Sequence, residues 1–215
     1  MFSGCQFSLY PMSDNFVEVI LPAVKAMGSP KDLRIETDDI STLVVGQPER
    51  VFEVVARAYE AACRAGGHVV LSALFSRGCP GEPDDPLCTP EGPGEGPGRG
   101  AGEGAGPDGT TRAAGTASAA APTPTGVELD AQFSLYPLGI PGYMNTIAAT
   151  VGAVKEAGVY DRSKNFCTRL SGDLASIFAA VERAFEEAAR DTGHVVIHLT
   201  ASKGSPSKKP NSDSR

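Results

Sequence analysis

Few residues in this chain have the types and spacing that chemistry needs. Asp38-Asp39 is the one paired carboxylate that stands out. Asp is a preferred turn residue, so plain hairpin chemistry accounts for the pair as well as a function does. The functional alternative is a carboxylate near a pocket, capturing a cation or an amino-substituted ring by charge-assisted hydrogen bonds. Tyr10 stands two residues after Ser8, and the same pair returns as Tyr136 after Ser134. Sheet packing explains a recurring tyrosine. An aromatic wall with hydroxyl donors, a normal lining for a small heterocycle, explains it too. His68 and His194 also recur, each where a helix hands over to a strand. No Cys or Ser nucleophile stands beside them, so they read as structural histidines. No G-x-x-x-x-G-K-[ST] phosphate loop occurs, and the Gly-rich run 92–109 lacks the flanking strand and helix one would need. The cysteines Cys5, Cys63, Cys79, Cys88 and Cys167 are odd in number and form no C-x-x-C pair. They read as reduced thiols in a cytosolic protein, with no metal site. The expectation is therefore binding without catalysis.

These residues recur because the chain repeats itself. Gln6-Phe7-Ser8-Leu9-Tyr10-Pro11 returns letter for letter as Gln132-Phe133-Ser134-Leu135-Tyr136-Pro137, an offset of 132 − 6 = 126 residues. The same offset carries Gly67-His68-Val69-Val70 onto Gly193-His194-Val195-Val196, and Ser76 and Gly78 onto Ser202 and Gly204. A period this long means two whole domains rather than an array of small repeats. The predicted boundaries are a first repeat over 1–81, a linker over 82–127, a second repeat over 128–206 and a tail over 207–215. The linker is dominated by Gly, Pro, Ala and Thr, which cannot bury enough apolar surface to offset their ordering entropy, so it is expected to be disordered. A net charge of −7 argues against a nucleic-acid surface. The N-terminus has no charged segment leading into a long apolar run, so no signal peptide is expected. The longest apolar stretch, Val69 to Phe75, is far too short to span a bilayer.

Periodicity places the candidates on elements. Phe7 and Leu9 alternate with polar neighbours, which predicts a strand. Asp14 to Met27 predicts a helix with Asp14 as N-cap, and Pro22 within it predicts a kink or a late start. Leu33 to Thr37 and Ile40 to Val45 alternate around the Asp38-Asp39 turn, a hairpin. Val51, Phe52, Val55, Ala58, Tyr59 and Ala62 follow helical spacing, Gly66-Gly67 stops that helix, and His68 to Ser76 is the last strand. The order β-α-β-β-α-β is the ferredoxin-like motif, an α+β fold with a four-stranded antiparallel sheet and both helices on one face. Phe7, Leu9, Val69, Leu71, Ala73 and Phe75 then face the helices. The other face mixes Tyr10, Val70 and Leu74 with Ser8, Ser72 and Ser76. That face is too apolar to stay wet, and is expected to pack on another sheet, within the chain or across a homodimer.

The motifs Phe7-Ser8-Leu9-Tyr10-Pro11-Met12, Thr37-Asp38-Asp39-Ile40-Ser41-Thr42, His68-Val69-Val70 and Phe75-Ser76-Arg77-Gly78-Cys79-Pro80-Gly81 resemble the YkoF family. So do Gln132 to Gly139 and Tyr143-Met144-Asn145 in the second repeat. The resemblance implies tandem ferredoxin-like, ACT-like domains and a homodimer. It also implies binding of thiamin or its hydroxymethylpyrimidine part, and an association with a thiamin-precursor transporter. The long Gly/Pro linker departs from the family pattern. On the matched motifs the ligand-binding candidates are Ser8, Tyr10, Asp38, Asp39, Thr42 and Ser76, with Ser134, Tyr136, Thr168 and Ser202 in the second repeat. Lys164-Asn165 stand where the first repeat has Asp38-Asp39, so the two sites are expected to bind unequally. An ACT-like regulatory domain for another small metabolite is the competing function, and an enzyme acting on a thiamin precursor would need a nucleophile or base that the sequence does not offer.

Overall fold

A computed structural model describes residues 3–78 and 122–208. The elements of the first repeat are β1 (Ser3–Pro11), α1 (Phe16–Met27), β2 (Arg34–Thr37), β3 (Thr42–Gly46), α2 (Pro48–Ala65) and β4 (Val69–Arg77). The second repeats them as β5 (Glu128–Leu138), α3 (Tyr143–Glu156), β6 (Tyr160–Ser163), β7 (Thr168–Asp173), α4 (Leu174–Ala188) and β8 (His194–Lys203). Each repeat is the expected βαββαβ unit. The first helix starts later than its Asp14 cap would have it. Asn15 occupies the cap without a side-chain bond, and Pro22 lies inside the helix on its exposed side.

The two sheets join differently from the expectation of face-to-face packing within the chain. β4 and β8 pair antiparallel, edge to edge, so the repeats share one eight-stranded sheet in the order β2-β3-β1-β4-β8-β5-β7-β6. Ala73 pairs with Leu199, its own counterpart at the 126 offset, so the seam is a local two-fold. All four helices cover one face. Phe52 of α2 stacks on Phe75 of β4 at 4.0 Å and meets Phe185 of α4 edge-on at 5.7 Å, while Tyr59 reaches Phe178. The inward residues Phe7, Val69, Leu71, Ala73, Phe75, Phe133, Val195, Ile197, Leu199 and Ala201 are buried as the alternation requires. One core thus spans both repeats, each buried aromatic contributing about 1.5–3 kcal/mol. The opposite face has no cover among the described residues. Tyr10, Leu74, Tyr136 and Leu138 are each 42–49% exposed on it.

Most of the predicted linker, with Cys88, and Cys79 at the end of the first repeat lie outside the described residues. The last residues of the predicted linker are fastened to the second repeat, whose first strand begins at Glu128. Val127 is buried, and the Asp173 carboxylate accepts from Thr125 N, Thr125 Oγ1, Gly126 N and Ala175 N, capping α4 and fastening the incoming chain at once. Thr125 carbonyl also accepts from Arg64 of the first repeat at 2.7 Å. At the far end, Lys208 of the predicted tail reaches Asp130 at 3.2 Å.

Candidate functional site

The β2–β3 hairpin closes tightly, Asp38 N donating to Ser41 O at 3.0 Å around Asp39 and Ile40. Asp38 Oδ1 accepts from Ile40 N at 2.8 Å and Ser41 N at 2.7 Å. Half of this carboxylate therefore does the turn chemistry that its type favours. These backbone donors, Ser41 first, hold its carboxyl below the usual range, so it is ionised at neutral pH. Its Oδ2 and the Asp39 carboxylate have no partner among the described residues and remain available to a ligand.

Between this hairpin and α1 lies a cleft of about 280 Å³. Ile20, Ala23, Val24 and Met27 of α1 form one wall, Phe7 and Leu9 of β1 the floor, and Thr37 to Thr42 the other wall. Thr37 Oγ1 and Thr42 Oγ1 are hydrogen-bonded at 3.0 Å. Apolar walls with a few convergent polar groups are the usual form of a small-molecule site, and this one is at the small end of the range. Its polar end carries two carboxylates and no cation. The cleft brings together Ser8, Tyr10, Asp38, Asp39 and Thr42. Ser8 is partly engaged, Oγ donating to Ile40 O at 2.9 Å. Ser76 does not join them. It pairs with Gly4 while Ser8 pairs with Ser72, four residues or about 13 Å along the strand, and its hydroxyl is buried with no partner among the described residues. The α1 wall carried no polar signal in the sequence. Its one hint was apolar residues on more than one side of the helix, with Phe16, Val17, Leu21 and Val24 39–62% exposed.

In the second repeat the candidates disperse. Ser134 Oγ donates to Phe166 O at 2.9 Å, reproducing the Ser8–Ile40 bond one repeat later. It lines a groove of about 580 Å³ with Gln132, Lys164, Asn165, Phe166 and Cys167. Tyr136 is half exposed on the open sheet face, outside the groove, and Thr168 is buried. Ser202 Oγ lies 3.2 Å from His68 Nε2 across the β4–β8 seam, away from both pockets. The α3 face that corresponds to the α1 wall is also changed. Thr146 and Thr150 fill the buried positions that Val19 and Ala23 hold in α1, and Thr146 Oγ1 donates to Asp191 at 2.6 Å.

Of the three described cysteines, Cys5 and Cys63 are buried, and Cys167 lines the second-repeat groove. Burial pushes the Cys5 thiol well up and that of Cys63 to about 11, so both stay protonated and inert. His68 and His198 act as seam partners, His198 Nε2 lying 3.2 Å from Ser72 Oγ, while His194 pairs with Leu138 on β5. No group of three metal-ligating side chains forms among the described residues. No helix among them is long and apolar enough to cross a membrane.

Comparison with known proteins agrees with the two-repeat layout. The profile of the YKOF-related family matches residues 2–82 and again 128–208. The chain is 30% identical over 207 residues to YkoF of Bacillus subtilis (strain 168), whose name proposes HMP/thiamine binding. The alignment covers 96% of this chain and 92% of that one. Two matched copies, each on one βαββαβ unit, and a relative aligned nearly end to end place this chain in the YKOF-related family.

Proposed function

We propose that this protein is a non-enzymatic binding protein for thiamin or its hydroxymethylpyrimidine moiety, acting in the cytoplasm. The observation that carries the reading is the first-repeat cleft: apolar walls of ring size closed at one end by Asp38 Oδ2 and Asp39, with no cation in its lining. Thiamin has a permanent positive charge and an aminopyrimidine that donates hydrogen bonds. A carboxylate suits both, each such bond contributing about 1.5–3 kcal/mol. The name of the Bacillus subtilis relative points to the same ligand class. The inert Cys5 and Cys63 thiols and the seam bonds of His68 and His198 support binding without turnover, and the role is capture for delivery or sensing beside a thiamin-precursor transporter.

The open sheet face supports a homodimer, in which Tyr10, Leu74, Tyr136 and Leu138 would be covered by a second copy. Calorimetric titration with thiamin, hydroxymethylpyrimidine and amino acids tests the ligand. Asp38→Asn is a clean probe, because an Asn side-chain oxygen keeps the turn bonds from Ile40 N and Ser41 N while removing the charge. Asp38→Asn and Asp39→Asn are expected to weaken the first site about tenfold or more each. Amino acids binding where thiamin does not would move the chain to the regulatory alternative.

A further inference from the structure

The second repeat is more than a weaker copy of the first: its hairpin groove has the opposite polarity. In the first repeat, Gln6 Nε2 donates to Ser41 Oγ at 2.9 Å, so one amide N–H is held at the hairpin and the amide oxygen takes no bond among the described residues. In the second, Lys164 Nζ donates to Gln132 Oε1 at 3.0 Å and Cys167 Sγ approaches the same oxygen at 3.5 Å. Two donors on that oxygen fix the amide orientation and turn Gln132 Nε2 outward as a free donor. Asp38 has become Lys164, and Asp39 has become Asn165. Lys164 has no acidic partner among the described residues. The first cleft is lined by two carboxylates and no cation, the second groove by one cation and no carboxylate.

The second groove is also roomier, about 580 Å³ against about 280 Å³. At the hairpin tip Phe166, 91% exposed, replaces Ile40 and offers a planar face to a ring. An ammonium, an outward amide N–H and an aromatic platform in one open groove are complementary to an anion carried on a planar ring. We infer that the second-repeat groove takes the phosphate-ester form of the ring compound whose uncharged or cationic form the first cleft takes. This rests on the ligand class proposed above, and gives the two repeats different ligands instead of different affinities for one.

The test is calorimetric titration of the full chain with thiamin, hydroxymethylpyrimidine, hydroxymethylpyrimidine phosphate and inorganic phosphate. The phosphate ester is expected to bind a site that Lys164→Asp weakens about tenfold or more and Lys164→Arg retains. Thiamin affinity at the first cleft should be the same in both variants. Lys164 is exposed at a hairpin tip, so thermal melts of the variants are expected to overlay the parent, and Lys164→Gln repeats the test without introducing a new charge. Ester binding indifferent to Lys164, or inorganic phosphate binding as tightly as the ester, overturns the inference. Loss of all thiamin binding with a Lys164-dependent ester site intact would strike the ligand proposed for the first cleft and leave the inverted polarity standing.

Discussion

Gly78 and Gly204 close the seam between the repeats, and replacing either with Ala should cost more than its size suggests. Both lie in the left-handed region, at φ 77° and 72°. A Cβ at Gly78 would stand 2.0 Å from Gly193 O and 2.9 Å from its carbonyl carbon. At Gly204 it would stand 2.3 Å from Gly67 O. The obstacle is backbone at the entry to the neighbouring strand, so no rotamer change can relieve it. The left-handed backbone costs a non-glycine residue about 1–2 kcal/mol, and forced overpacking adds about 1–3 kcal/mol. Each variant should therefore lose roughly 2–5 kcal/mol, the sum of those two ranges. The structure supplies its own controls. Gly28 has φ 70° and nothing within 4 Å of its would-be Cβ, so Gly28→Ala isolates the backbone part. Gly67 and Gly193, the facing residues, have neither a positive φ nor a neighbour within 4 Å, and Ala there should be nearly silent. Urea denaturation followed by circular dichroism orders the five variants. If Gly78→Ala and Gly204→Ala cost no more than Gly28→Ala, the close approach of the two strands at the seam is wrong.

Asp173→Ala removes a carboxylate that accepts four hydrogen bonds from Thr125, Gly126 and Ala175, and should cost about 2–4 kcal/mol by urea melt. Burial pushes the Asp173 carboxyl up, but the bonds from Thr125, Ala175 and Gly126 outweigh it and hold it low. Its contribution is thus present above the ordinary carboxylate pKa and lost as pH falls below it, so the parent should converge on Asp173→Ala in acid. Burial first, then Glu49 and Glu186, push Glu182 on α4 up to about 7. A raised carboxyl favours folding while protonated and opposes it once ionised, so Glu182→Gln should raise the melting temperature at pH 8. That gain should fade towards pH 5, and no gain at pH 8 would show that Glu182 does not oppose folding there. Val70→Asp or Val196→Asp on the open face should weaken self-association by a few kcal/mol by burying an unpaired charge, with sedimentation as the readout. A monomer before and after the change would remove the dimer.

The elements and their inward faces were legible because period-two and period-3.6 patterns are written in side chains. Phe7, Leu71 and Phe75, or Phe52 and Tyr59, each announce a face by spacing alone, and all but Leu9 of the helix-facing positions expected on the first and last strands of the first repeat are buried. The meeting of the two sheets was not legible. Strand edges join through backbone N–H and C=O groups, which every residue except proline has, so β4 against β8 leaves no side-chain pattern. What it left was Gly78 and Gly204, visible as a repeated letter whose purpose needed the backbone of Gly193 and Gly67 opposite. The mixed face of the strands suggested sheet on sheet, within the chain or across a homodimer; the edge joint of β4 and β8 overturns the first and leaves the second as the proposed cover.

The candidate site divides along the same line. Residues close in sequence stayed together: Ser8 with Tyr10 on β1, and Asp38 with Asp39 in a hairpin that pairs back onto β1 through Thr42 and Phe7. Ser76 and Ser202 were grouped with them by motif, yet strand register sets them four residues along the sheet. Offset alone also concealed that equivalent positions changed together. Asp38 to Lys164, Asp39 to Asn165, Ile40 to Phe166 and Ser41 to Cys167 are four adjacent differences, and the reversed amides of Gln6 and Gln132 follow from them, because Gln6 donates to the Ser41 hydroxyl while Gln132 accepts from Lys164 and Cys167. A duplicated fold held by one shared core can let a four-residue hairpin tip change freely, since Lys164 and Phe166 are exposed and the core residues Phe133, Leu170 and Leu199 are not. Stability is thus decided at the seam and beneath the helices, and on the proposed reading ligand choice falls to two hairpins on the outer edges of the same sheet, so either could be altered without the other.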